Sequence, residues 1–107
     1  MIPSQMLKGV LEGAILEIIR REETYGYEIS KILLEAGFGE ISEGTIYPVI
    51  LRLQKNRYVK GVLRESSIGP KRKYYSLTEE GEEYLREFRD NWGALADAME
   101  ELMGDKK

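Results

Sequence analysis

The chain of 107 residues contains no cysteine and no histidine. The first absence excludes disulfides and thiolate-held metals. The second removes the side chain most often used as a general base, which is also the commonest metal ligand. Catalysis would fall to carboxylates, lysines and tyrosines. The densest carboxylate group, Glu79, Glu80, Glu82 and Glu83, reads as the solvated first turn of a helix. No carboxylate has the apolar surroundings that would raise its pKa into a working range. An enzyme and a bound cofactor are therefore not expected. Long apolar runs are also missing: Lys8, Glu12 and Glu17 interrupt the N-terminal one, leaving neither a secretory signal nor a membrane span. A cytoplasmic protein is expected. With 42% hydrophobic and 33% charged residues, what remains is a helix-rich globular chain with one modest core.

A net charge of −3 argues against a nucleic-acid partner until its distribution is read. From Met1 to Leu51 there are four cations and eight carboxylates, and from Tyr74 to Lys107 four cations and ten carboxylates. Between them, Arg52 to Lys73 holds eight cations against Glu65 alone. Charges act over about 8–10 Å at physiological salt, so a polyanion meets the basic middle rather than the sum. A solvated hairpin that happens to be basic is the alternative.

The periodicity predicts a helix over Gln5–Arg21, with Gly9 and Gly13 where another helix or a flat ligand comes close. Thr24 offers a cap to a second helix, which would bury Tyr25, Ile29, Ile32, Leu33 and Ala36 and end at Gly37 and Gly39. Ile41 is read as a short strand. Ser42 caps a third helix, with Glu43 at its positive end and Ile46, Val49, Ile50 and Leu53 as its apolar face. Its other face carries Thr45, Tyr47, Arg52 and Lys55, the donor-rich surface of a helix that enters a DNA major groove, or of an ordinary amphipathic surface helix. Pro48 requires either a later helix start near Thr45 or a bend. Val59–Glu65 and Arg72–Leu77 are β-prone runs joined by Ser66-Ser67-Ile68-Gly69-Pro70-Lys71, a long-looped hairpin.

Thr78 caps the last helix. Along it Leu85, Phe88, Trp92, Leu95, Met99 and Leu102 alternate at steps of three and four, a heptad stripe. A second copy of the chain would cover it as a homodimer interface; packing on the first helix of the same chain is the alternative. The expected fold is thus mainly α with a small β-hairpin: a winged helix-turn-helix over residues 1–77 and a C-terminal dimerisation helix over 78–107, in one compact unit.

Three segments resemble the PadR family of bacterial transcriptional regulators: Tyr25-Gly26-Tyr27-Glu28-Ile29, Gly44-Thr45-Ile46-Tyr47-Pro48 with Arg52-Leu53, and Arg72-Lys73-Tyr74-Tyr75-Ser76-Leu77-Thr78-Glu79-Glu80-Gly81. A single C-terminal helix is similar to the shorter subgroup, which includes multidrug-sensing repressors. The resemblance implies a homodimeric repressor on a palindromic double-stranded operator, released by a small molecule. Thr45 and Tyr47 then read bases, with Ser42 partly occupied as a cap. Arg52 and Lys55, further along the helix, reach phosphates or simply solvent. Lys71, Arg72 and Lys73 are wing candidates that strand alternation keeps from all pointing one way, and Gln5 and Lys8 touch the backbone. One of Tyr74 and Tyr75 is expected in the core and the other over the sheet. By the same resemblance Trp92 stacks on a planar aromatic or cationic effector in a pore at the dimer centre, with Met6, Gly9 and Gly13 across that pore and Glu12 to attract its charge. Trp92 filling the dimer interface alone is the other reading, as is a dimeric interaction module that does not bind DNA.

Overall fold

The computed structural model describes residues 2–66 and 69–104. Among the described residues five helices and one hairpin follow in order: α1 Ser4–Leu7, α2 Leu11–Arg21, α3 Gly26–Ala36, α4 Glu43–Lys55, β1 Val59–Arg64, β2 Arg72–Leu77 and α5 Glu79–Met103. The strands pair antiparallel, from Val59 opposite Leu77 to Arg64 opposite Arg72. Ser67 and Ile68 of the expected loop and residues 105–107 of the expected C-terminal unit lie outside the described residues. Among the described residues no helix is long and apolar enough to cross a membrane.

The expected first helix is two pieces. Its ladder stops at Leu7, Val10 closes a tight turn onto the Leu7 carbonyl, and α2 starts without a side-chain cap. Gly9 lies in that turn, where the helix-destabilising residue, about 1 kcal/mol worse than alanine, marks the weakest point. Thr24 is no cap either. Its backbone pairs both ways with Tyr75, adding one residue of a third strand to β2, and α3 begins from Tyr25 without a side-chain cap. Ile41 forms no strand: its side chain is buried and its carbonyl accepts from the Ser30 hydroxyl at 2.6 Å. Ala36 is exposed rather than in the core. Pro48 lies inside a helix that begins at Glu43, and the missing N–H falls where the helix is exposed and water can serve Gly44.

Other expected punctuation holds. The Ser42 hydroxyl accepts from the Thr45 N–H at 3.3 Å, and Gly37 ends α3 at φ 106°. Thr78 caps α5 and ties it back to the preceding turn. Its hydroxyl accepts from the Gly81 N–H at 2.9 Å and donates to the Arg57 carbonyl at 2.6 Å. The second bond holds the turn after α4, where Arg57 takes a left-handed φ of 66°.

Ile15, Leu16, Ile29, Leu33, Ile46, Ile50 and Leu53 bring α2, α3 and α4 together, with Val59 and Tyr75 closing the core from the hairpin. Each such side chain contributes about 1.5–3 kcal/mol when fully buried. Leu85, 2% exposed, belongs to this core and cannot face a second chain, which corrects its place in the expected interface. Phe88 is half-buried against the core, and its ring occupies the space above Gly13. The close approach that Gly13 permits is therefore to α5. Glu17 strengthens the same contact by accepting from Arg89 on α5 and from Arg20. Burial alone would raise the Glu17 carboxyl, but these two guanidinium groups outweigh it and hold it below its ordinary value.

Gly81 is buried at the start of α5, and a Cβ there would collide with the Tyr58 carbonyl, a backbone atom that cannot step aside. Gly81→Ala is expected to destabilise the chain by about 1–3 kcal/mol through overpacking. Urea unfolding would show this as a lower midpoint at unchanged slope, whereas an unaltered midpoint would contradict the packing.

Candidate nucleic-acid interface

A cleft of about 280 Å³ opens between the starts of α3 and α4 and the strand β2. Tyr25, Gly26 and Tyr27 form one wall, Glu43, Ile46, Tyr47 and Ile50 the second, and Arg72, Lys73 and Tyr75 the third. The helix-turn-helix places the two helix starts side by side because Ile29, Leu33, Ile46 and Ile50 share the core behind them. Tyr47 and two of the three expected wing cations, Arg72 and Lys73, thus line one cleft, while Lys71 is not part of its lining. Thr45 is exposed on the same first turns of α4 and Ser42 caps it, its hydroxyl 3.3 Å from that of Thr45. Gln5 on α1 and Lys8 in the following turn are exposed, outside the cleft lining.

The eight cations of Arg52–Lys73 divide by whether a carboxylate already holds them. Arg52 leans back to Glu12 of α2 at 3.5 Å, Arg64 pairs with Glu23, and Lys71 lies 3.7 Å from Glu65. Arg52 thus has a partner within the chain, and its side chain remains 55% exposed. Lys55, Arg57, Lys60, Arg72 and Lys73 have no carboxylate partner among the described residues. Of these, Arg72 and Lys73 line the cleft. Glu43 is the carboxylate on its wall, beside Gly26, where the positive end of α3 favours it.

Tyr25 and Tyr27 are the aromatic residues of the cleft's first wall that the sequence reading did not place at the site. Tyr25 stands four residues before buried Ile29, and helical spacing assigned it to the core. The motif Tyr25-Gly26-Tyr27 was visible, but its position beside β2 depends on the bridge from Thr24 to Tyr75. The expected division of the tyrosine pair holds: Tyr75 is buried and Tyr74 is half-buried, meeting Tyr25 edge-on at 5.2 Å.

On the single chain, the residues expected around an effector are variously open, buried or engaged. Trp92 is 48% exposed and Met6 72%, and nothing lies within 4 Å of where a Cβ on Gly9 would stand. Gly13 is buried beneath Phe88, which corrects its expected place in a pore. Glu12 is engaged twice, accepting from the Tyr84 hydroxyl at 2.8 Å and pairing with Arg52.

A family model described as the transcriptional regulator PadR-like family matches residues 15–87. The chain is similar to the crystal structure of a PadR-like transcriptional regulator from Bacillus cereus strain ATCC 14579, with 52% identity, a TM-score of 0.86, and 95% and 99% of the two chains covered. It is also similar to Bacillus subtilis PadR solved in complex with operator DNA, at 27% identity and a TM-score of 0.67, covering 74% of this chain and 46% of that one. The transcriptional regulator YqjI of Escherichia coli (strain K12) is 36% identical over 84 residues, 77% of this chain and 39% of its own length.

The bond to Glu12, and secondarily burial, push the Tyr84 phenol up to about 12. Its unfolded counterpart titrates near 10. The proton is thus kept longer in the folded chain, and the stability this contributes is present below about pH 10 and lost as pH rises toward 12. Ultraviolet titration should show a late-ionising phenol that Tyr84→Phe removes. Loss of a phenol titrating near 10 instead would contradict the bond.

Proposed function

The chain belongs to the PadR-like family of transcriptional regulators, and from that premise we propose that it is a ligand-responsive repressor acting as a homodimer on a palindromic operator in the cytoplasm. The observation that carries this reading is the cleft in which Arg72 and Lys73, free of carboxylates, face Tyr47 on the first turns of α4. A recognition helix reads base edges through its N-terminal residues while neighbouring cations hold phosphates. Thr45 and Tyr47 read bases, with Ser42 beside them as the cap. Lys73 and Arg72 hold the strand flanking the groove, and Arg52, Lys71, Gln5 and Lys8 add outlying contacts. B. subtilis PadR, bound to operator DNA, supports a DNA partner.

The dimer reading rests on the outer half of α5. Leu95, Met99 and Leu102 are 54%, 45% and 82% exposed, continuing from Trp92 at helical spacing. A second copy is the occupant we assign to this stripe, with Phe88 at its inner edge. The effector is a planar aromatic or cationic molecule that contacts Trp92 with Met6 and Gly9. Glu12 supplies charge while it accepts from Tyr84 and pairs with Arg52.

On operator DNA, affinity should fall about a thousandfold between 50 and 200 mM salt if the dimer neutralises about six phosphates. Flat salt dependence would contradict the reading. Arg72→Ala should lower the slope by about one for each phosphate no longer neutralised, and Tyr47→Ala should cost about 1–3 kcal/mol and relax sequence preference. Both variants should sediment as dimers. Leu95→Glu with Met99→Glu should instead yield a folded monomer with much weaker operator binding, and a persisting dimer would place the interface elsewhere. Trp92 is the single tryptophan, so saturable quenching of its emission by a planar cationic dye tests the effector site directly. No quenching at tens of micromolar dye would leave Trp92 as an interface residue alone.

A further inference from the structure

Two arginines of the wing are held over tyrosine rings, in different ways. The Arg64 guanidinium lies 5.4 Å from the Tyr74 ring centre and continues to Glu23, which cancels its charge. The Arg72 guanidinium lies 4.5 Å over the Tyr25 ring, and no carboxylate or hydrogen-bond acceptor holds it among the described residues. Tyr25 meets Tyr74 edge-on, at 5.2 Å and 60°. The order Glu23, Arg64, Tyr74, Tyr25, Arg72 therefore runs across the outer face of the hairpin, anchored by an ion pair at one end and ending in an open cation at the cleft. A ring attracts a guanidinium without neutralising it and leaves the edge of the fork free, whereas a carboxylate occupies both.

We propose that Tyr25 is a positioning residue for nucleic-acid binding: its ring holds the Arg72 guanidinium in place, still fully charged, to take one backbone phosphate of DNA at the rim of the cleft. The inference rests on the DNA-binding reading above. Arg72 is exposed, and an exposed arginine loses rotamer freedom when it engages a phosphate. Stacking on Tyr25 removes much of that freedom beforehand, and the free edge can donate two parallel bonds to phosphate oxygens. Lys73, next in the strand and on the other pleat face, brings a second cation to the same cleft. Glu43 opens α4 beside Gly26, on the helical side of the cleft, so the phosphate is received on the β2 side.

The test is a double-mutant cycle on the full chain, with a duplex recovered from a random-sequence pool by the wild-type protein. Tyr25→Leu should weaken binding about two- to fivefold. In an Arg72→Ala background the same change should have no effect, and Tyr25→Phe, which keeps the ring, should bind as wild type. Arg72→Lys, at an exposed position where folding is not at issue, should lose a similar factor while the salt slope stays unchanged. Thermal unfolding of each variant separates loss of fold from loss of positioning. Equal losses from Tyr25→Leu in both backgrounds, an Arg72→Lys variant as tight as wild type, or a Tyr25→Phe variant as weak as Tyr25→Leu would each overturn the assignment while leaving DNA binding intact. A wild-type protein that recovers no duplex would overturn both readings.

Discussion

Glu12, Glu17 and Glu23 project from α2 and the turn that follows it, and each takes up arginines from elsewhere in the chain. Glu17 accepts from Arg89 of α5, Glu12 pairs with Arg52 of α4, and Glu23 pairs with Arg64 of β1. Exposed pairs of this kind contribute about 0–1 kcal/mol each, too little to decide the fold. Their larger effect is on the field. They compensate Arg52 and Arg64 of the basic middle, leaving uncompensated cations at the end of α4, in the following turn and on the hairpin. With a screening length of about 8 Å, a polyanion senses that local remainder rather than a net charge of −3.

The same helix sets the limit of α5. Leu85, Phe88 and Arg89 occupy its first turns on α2, and beyond Arg89 the helix leaves the body of the chain. Its 25 residues span about 37 Å. The molecule measures 57 × 30 × 20 Å with a radius of gyration of 15.5 Å, against about 13 Å for a compact chain of this length. The excess is the projecting half-helix with its apolar stripe. One helix thus does two jobs in sequence: its near half completes the winged domain, and its far half offers the surface proposed for a partner. Glu12 bonds to Tyr84 in the near half of α5 and pairs with Arg52 of α4, so α2 ties those two helices together.

Local chemistry made α3, α4, the hairpin and the start of α5 legible, because Ser42, Thr78 and Gly37 are boundary signals that act within a few residues. What escaped depends on partners distant in the chain. Thr24 joins β2 through a single residue pair, which leaves no alternation to read. The heptad stripe on α5 was correct as a pattern, but periodicity cannot tell Leu85, covered by its own chain, from Leu102, which is not. Tyr25 shared helical spacing with Ile29 and was placed in the core, and only the neighbouring strand reveals Arg72 above its ring. Arg52 and Arg64 counted as free cations until the carboxylates some forty residues earlier came into contact with them.

Backbone amide shifts recorded while a short duplex is added would report directly on which face of the chain meets DNA. If the cleft is that face, the largest changes fall on Tyr25–Tyr27, Glu43–Tyr47 and Arg72–Lys73, with the far half of α5 unaffected. Changes concentrated instead on α5 from Trp92 to Leu102, or none at low salt, would contradict it.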